Sequence, residues 1–225
     1  EWVQTWGRKV LPSLFPTPKL EKPAEPRPDH FLAWSWISGR GASLDGPFLE
    51  ARDLVKNFGG LAAIRQVSFQ MNRGEILGVI GPNGAGKTTL FNMISGFYRP
   101  DGGEVFYRGE VISQLRSAHL ICRRGMGRTF QLVKPFQNIS VLENVVTGAY
   151  LRTRSPAAAR EDAFEILQLV GLYGMRDSAA RSLTLSARKR LELARALATR
   201  PNLLLLDEII AGLNPKETEE AITLI

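Results

Sequence analysis

The sequence predicts a mixed α/β fold, and three observations carry the prediction. A short apolar run, residues 75–80, ends in a glycine-rich turn and is followed by the apolar-periodic positions Leu90, Phe91 and Ile94, the pattern of a buried strand passing into a helix. A second apolar run, residues 203–206, ends in two adjacent carboxylates, Asp207 and Glu208. Before both of them, residues 48–55 and 64–71 alternate partly between apolar and polar side chains, as half-buried strands do.

In chain order, the composition changes sharply near residue 47. Residues 1–47 hold seven of the thirteen prolines and all four tryptophans. Residues 15–28 are too rich in proline to sustain a helix or a central strand, so this stretch reads as an extended linker or tail. Its aromatic residues Phe31, Trp34 and Trp36 suit packing on a neighbour or resting at a membrane interface, and equally suit an ordinary apolar loop. From residue 48 the pattern is that of a packed domain. Asp101, Gly102 and Gly103 make a turn before a strand over 104–107, and residues 157–170 and 187–198 have helical composition and spacing. No internal repeat is visible, so one domain is expected and not a tandem pair.

Length and composition bound the function. A chain of 225 residues suits a domain of ordinary size with enough apolar content to fill a core. A single cysteine, Cys122, rules out an internal disulfide and fits a reducing compartment. No apolar run approaches the ~20 residues needed to cross a bilayer, so a partner or another part of the molecule would have to span one. The net charge of +7 is spread over scattered basic sites with acids between them, which argues against a dedicated nucleic-acid surface. The chain starts at Glu1 and stops at Ile225 within a helix-like stretch, so both ends read as cut edges.

Gly81, Pro82, Asn83, Gly84, Ala85, Gly86, Lys87 and Thr88 fit the pattern G-x-x-x-x-G-K-[ST]. Glycines let backbone N–H groups turn inward around a phosphate with no side chain in the way, and the helix that follows adds the positive end of its dipole. Lys87 would supply a mobile cation for β- and γ-phosphates, Thr88 a hydroxyl for Mg²⁺, and Thr89 a further phosphate contact. A chance match to the four fixed positions arises in roughly one chain of this size per hundred, and the strand–loop–helix context makes it rarer. The expected cofactors are ATP and Mg²⁺.

The acidic pair after the second apolar run falls at the carboxyl end of a buried strand, the edge where ligands sit in open α/β sheets. Asp207 suits orienting Mg²⁺ or its water shell. Glu208 suits polarising the water that attacks a γ-phosphate, as general bases do. An acidic strand end is common on any surface; the phosphate loop upstream is what favours the catalytic reading.

These motifs and the segments between them resemble the ABC ATPase family, over about residues 48–225. Phe58-Gly59-Gly60, the loop through Asn92, and Gly127-Arg128-Thr129-Phe130-Gln131 look especially like the ATPases of branched-chain amino-acid importers. Val141-Leu142-Glu143-Asn144-Val145 and Ala211-Gly212-Leu213-Asn214-Pro215 extend the likeness. The resemblance implies a P-loop core with an antiparallel β portion, a helical subdomain inserted over about residues 138–182, and a chain incomplete at its C-terminus. It also implies that Phe58 stacks on adenine, that Gln131 touches Mg²⁺ or the attacking water, and that residues 214–217 form a dimer-contact loop. That loop reads locally as a helix start as well, with Asn214 as cap and Pro215 in the first turn. The implied partners are membrane permease subunits, a second ATPase subunit and, indirectly, an extracytoplasmic solute-binding protein, with the ATPase on the cytoplasmic face of the cell membrane. The residues 1–47 would then suit a tether from a fused permease.

Two departures from the family pattern stand out. The signature expected as LSGGQ falls on Leu183-Thr184-Leu185-Ser186-Ala187. Thr184 keeps a hydroxyl able to reach a γ-phosphate on an opposite subunit, but Ser186 replaces a glycine that permits close backbone approach, which predicts a weakened composite site. The family's switch histidine is expected beyond the acidic pair, yet the chain ends 17 positions after Glu208 and its two histidines, His30 and His119, lie upstream. This predicts a chain that binds nucleotide better than it hydrolyses it.

Overall fold

The computed structural model describes residues 46–115 and 117–207. The predicted linker or tail, except its last two residues, and Glu208 with the dimer-contact loop, lie outside the described residues.

The first layer is an antiparallel sheet. Strand β1 (Leu49–Phe58) turns through Gly59 and Gly60 into β2 (Leu61–Met71), pairing Leu49 with Met71 and Phe58 with Leu61. Gly59, at φ +56°, supplies the positive φ that tight hairpin turns require. Strand β3 (Gly102–Tyr107) pairs with the other edge of β1, and the short β4 (Glu110–Val111) follows, giving the order β2-β1-β3-β4.

Helix α1 (Lys87–Ile94) packs against this sheet. Its Leu90, Met93 and Ile94, spaced to fall on one face, bury against Leu54, Ile64 and Val105. Helix α2 (Ala118–Arg123) leads into β5 (Met126–Arg128), which pairs in parallel with β6 (Leu203–Leu205).

The second layer is helical. Helix α3 (Val141–Ala149) starts from a complete capping box between Ser140 and Glu143, and α4 (Pro156–Leu169) from Ser155 with proline in the first turn. Both pack on α5 (Leu185–Ala198) through Val141, Val145, Ala163, Leu167, Leu191 and Ala194. Gly148 brings α3 close to α5: a Cβ there would lie 2.7 Å from the Arg195 carbonyl oxygen.

Most predicted elements are present, with boundaries shifted by one to several residues. One expectation is corrected. Residues 75–80, expected as a buried central strand, join no ladder; Ile76 is 90% exposed and Ile80 95%. Strand pairing is a tertiary event: β6 pairs with β5 on one edge, and beside residues 202–207 a cavity of about 480 Å³ stands where residues 74–79 would have to approach for a ladder to form. An apolar run suits a strand buried on both faces, but only a hydrogen-bonding neighbour makes it one.

Candidate functional site

The phosphate loop is shaped by a left-handed residue at its end. Gly86 caps α1 at φ +92°, and a Cβ there would lie 2.6 Å from the Ala63 carbonyl oxygen and 2.8 Å from Ile64 Cδ1. Only glycine combines that backbone angle with so close an approach to β2. The first turn of α1 carries no acidic residue, so its outward N–H groups and dipole face a site with no competing negative charge from the turn. Lys87 Nζ donates to the carbonyls of Gly81 (2.7 Å) and Pro82 (2.9 Å), holding the ammonium over the loop.

A cavity of about 440 Å³ opens beside this loop. Asn83, Gly84, Gly86, Lys87, Thr88 and Thr89 line it from the loop side. Phe58 and Gln131 line it as well. Gly81, Pro82 and Ala85 are not part of that lining; the Ala85 N–H turns back to the Pro82 carbonyl at 3.2 Å. Phe58 is 43% exposed; it meets Tyr98 at 5.4 Å with the ring planes 72° apart, and Lys56 Nζ lies 5.6 Å from its ring centre, so part of the ring stays open to a ligand.

A second cavity, also about 440 Å³, brings Thr88, Gln131 and Asp207 together. A hydroxyl, an amide and a carboxylate are hard oxygen donors of the kind Mg²⁺ takes alongside phosphate oxygens and water. Among the described residues no cluster of three or more His, Cys, Asp or Glu side chains could hold a metal alone. The loop, its cation and this donor set therefore fit a Mg²⁺–triphosphate.

Asp207 is buried and held by two partners. Its side chain is 4% exposed, its N–H donates to Thr129 Oγ1 at 3.2 Å, and its Oδ2 accepts from Arg128 Nη2 at 3.1 Å. Arg128 in turn donates from Nη1 to Asn92 Oδ1 and Ser95 Oγ, both at 2.7 Å, on and just after α1. Its guanidinium carbon lies 5.0 Å from the centre of the Phe130 ring, 5.7 Å from Phe97 and 5.9 Å from Phe91. Burial draws this guanidinium below its ordinary range, and the hydrogen bond and charge of Asp207 oppose that.

Similarity to known proteins decides the family. The profile described as ABC transporter matches residues 64–211. The chain belongs to the ABC transporter family. This cassette is 40% identical over 194 residues to the high-affinity branched-chain amino acid transport ATP-binding protein BraF of Pseudomonas aeruginosa, covering 80% of this chain and 76% of that protein. It is also 40% identical, over a shorter 168 residues, to the lipopolysaccharide export ATP-binding protein LptB of Escherichia coli, covering 74% and 69%. The ADP conformation of MJ1267, an ATP-binding cassette of an ABC transporter, superposes with a TM-score of 0.69 at 34% identity, covering 79% of this chain and 75% of that one. As a cassette of this family the chain is an ATPase with an α/β P-loop core.

The residues expected as the signature line neither of these two cavities and lie at the start of α5. Thr184 caps that helix, its hydroxyl oxygen accepting from the Ala187 N–H at 3.2 Å, while Ser186 is buried and Leu185 is 55% exposed. Sequence reasoning gave no role to Arg128, Asn92, Ser95 or Thr129. Their contributions depend on the parallel register that sets Arg128 beside Leu205, which no local pattern reveals. Glu192 on α5 lines the same cavity as Asp207; it accepts from Arg195 at 2.9 Å, and burial pushes its carboxyl up against the opposing effect of Arg195.

Proposed function

We propose that the cassette couples ATP binding and hydrolysis to uptake of branched-chain or related amino acids. The reading puts it on the cytoplasmic face of the cell membrane, as one of two ATPase subunits beneath a permease supplied by an extracytoplasmic solute-binding protein. Among the described residues no helix is long and apolar enough to cross a membrane, in keeping with a peripheral subunit that needs such a partner.

The observation that carries the nucleotide reading is the cavity in which Phe58, the loop residues, Lys87 and Gln131 meet. Its lining suits both parts of ATP: an exposed ring for adenine, and a cation with orphan N–H groups for the phosphates. Lys87 would leave the Gly81 and Pro82 carbonyls for phosphate oxygens. Thr88, Asp207 and Gln131 would hold Mg²⁺, which supplies charge neutralisation across the β- and γ-phosphates. Glu208 would take the proton of the attacking water, with Gln131 orienting it. Thr184 would face the nucleotide of the opposite subunit with its hydroxyl, and Ser186, whose side chain is buried, would meet it through its backbone. The direction and cargo of transport rest on the longer match to the importer ATPase.

Uptake of labelled leucine, isoleucine or valine into vesicles holding the permease, both ATPase subunits and internal ATP tests this reading. Uptake that needs ATP and vanishes with Lys87→Ala is expected; outward movement of a lipid cargo, with no amino-acid uptake, would contradict it.

A further inference from the structure

We propose that Arg128 is a positioning residue for the metal-binding carboxylate: its guanidinium fixes Asp207 relative to the helix that carries Thr88, and so sets the Mg²⁺ dependence of the nucleotide site. The inference rests on the Mg²⁺–nucleotide reading of that site.

Thr88 lies in the first turn of α1, and Asp207 lies two residues beyond the end of β6. Nothing in the sheet ladder joins these two elements directly, because β6 pairs with β5. Arg128, the last residue of β5, closes that gap with one side chain. Nη2 takes Asp207 Oδ2 at 3.1 Å, while Nη1 takes Asn92 Oδ1 and Ser95 Oγ, each at 2.7 Å. Both contacts on the helix side are short and the side chain is 6% exposed, so the fork is held at both ends and withdrawn from water. Phe91, Phe97 and Phe130 crowd the cation, and Arg128 Nε is buried without a hydrogen-bond partner. Full satisfaction of the arginine is therefore not what this geometry achieves; the orientation of Asp207 is.

The chemistry favours a fork over a point charge. A guanidinium presents donors in fixed, diverging directions, so it can reach two elements at once and hold their spacing. Groups that hydrogen-bond a metal's ligands set the ligand rotamer, and losing such a partner weakens metal affinity by about 10- to 100-fold. Removing the charge as well would confuse orientation with electrostatics, since an unpaired carboxylate attracts a cation more strongly. The informative change keeps the charge and removes the fork.

Binding of a fluorescent adenine nucleotide to the purified protein, titrated against free Mg²⁺, separates the two. Arg128→Lys is expected to raise the free Mg²⁺ at half-saturation about tenfold and to leave Mg²⁺-free nucleotide binding unchanged. A purely packing role would alter thermal stability and leave the Mg²⁺ curve in place; a folded variant whose curve superposes on the parent's overturns the proposal. If Arg128→Lys does not fold, the double change Asn92→Ala with Ser95→Ala, which leaves the ion pair and frees the fork from α1, takes its place. The same shift is expected there, and an unshifted curve overturns the proposal. Should the unsubstituted protein itself show no Mg²⁺-dependent binding, the reading of the site fails and this inference falls with it.

Discussion

The Arg128 guanidinium and the Asp207 carboxylate lie 3.1 Å apart, with their side chains 6% and 4% exposed. The pair joins the end of β5 to the residue just past β6, and through Asn92 and Ser95 it reaches α1 as well. Removing one partner leaves the other as an uncompensated buried charge. Asp207→Ala is therefore expected to destabilise the protein by about 3–5 kcal/mol, read from urea unfolding, with little dependence on added salt because the pair is screened from solvent ions. A loss below about 1 kcal/mol, the range of exposed pairs, would show the contact to be incidental.

Phe58 offers a surface that folding does not consume. It is 43% exposed, with Tyr98 at 5.4 Å and the Lys56 ammonium at 5.6 Å as contacts of its ring. Phe58→Ala should weaken ATP binding by about 1–3 kcal/mol, the typical worth of an aromatic–base stack, while inorganic triphosphate binds as before. Equal losses for both ligands in competition titrations would remove the adenine-stacking role.

Much of this site was legible in the sequence because the chain is contiguous there. Residues 81–89 are a local pattern, and one backbone angle at Gly86 plus the start of α1 turn it into a loop. The helices expected over 157–170 and 187–198, found over 156–169 and 185–198, are legible for the same reason: composition and spacing are local, although they do not place the caps Ser155 and Thr184. The clamp on Asp207 was not legible, because Arg128 and Asp207 are 79 positions apart and meet only through strand register. The failed expectation over 75–80 has the same root. Apolar composition is a property of the segment, while a ladder belongs to two segments.

Glu192 supplies a pH test. It is buried, and burial raises its carboxyl above the ordinary 4.5, with Arg195 opposing. The folded protein therefore keeps this proton to higher pH than the unfolded chain does. Its contribution to stability is greatest on the acid side and declines as pH rises from the unfolded value through the raised folded one, then stays level. Glu192→Gln should abolish that decline, so the parent loses stability relative to the variant across this window in thermal melts. Parallel curves would show that Glu192 titrates alike in both states.

Ser186 tests the expectation drawn from the altered signature. It sits in the first turn of α5, where glycine costs less than ~1 kcal/mol. In the assembled transporter Ser186→Gly should raise ATP turnover, by allowing closer backbone approach to the opposite nucleotide. Unchanged turnover would mean that the serine does not limit the composite site.

The whole account depends on a loop that wraps phosphates under the charge of Lys87, with a cation held opposite. Calorimetric titration of the purified protein with ATP, with and without Mg²⁺, and again with Lys87→Ala, addresses it directly. The account predicts saturable binding that Mg²⁺ strengthens and that Lys87→Ala weakens about 10- to 100-fold, the worth of a charge-assisted contact, with thermal stability kept. Heats unaffected by Mg²⁺ and by loss of the lysine would contradict it.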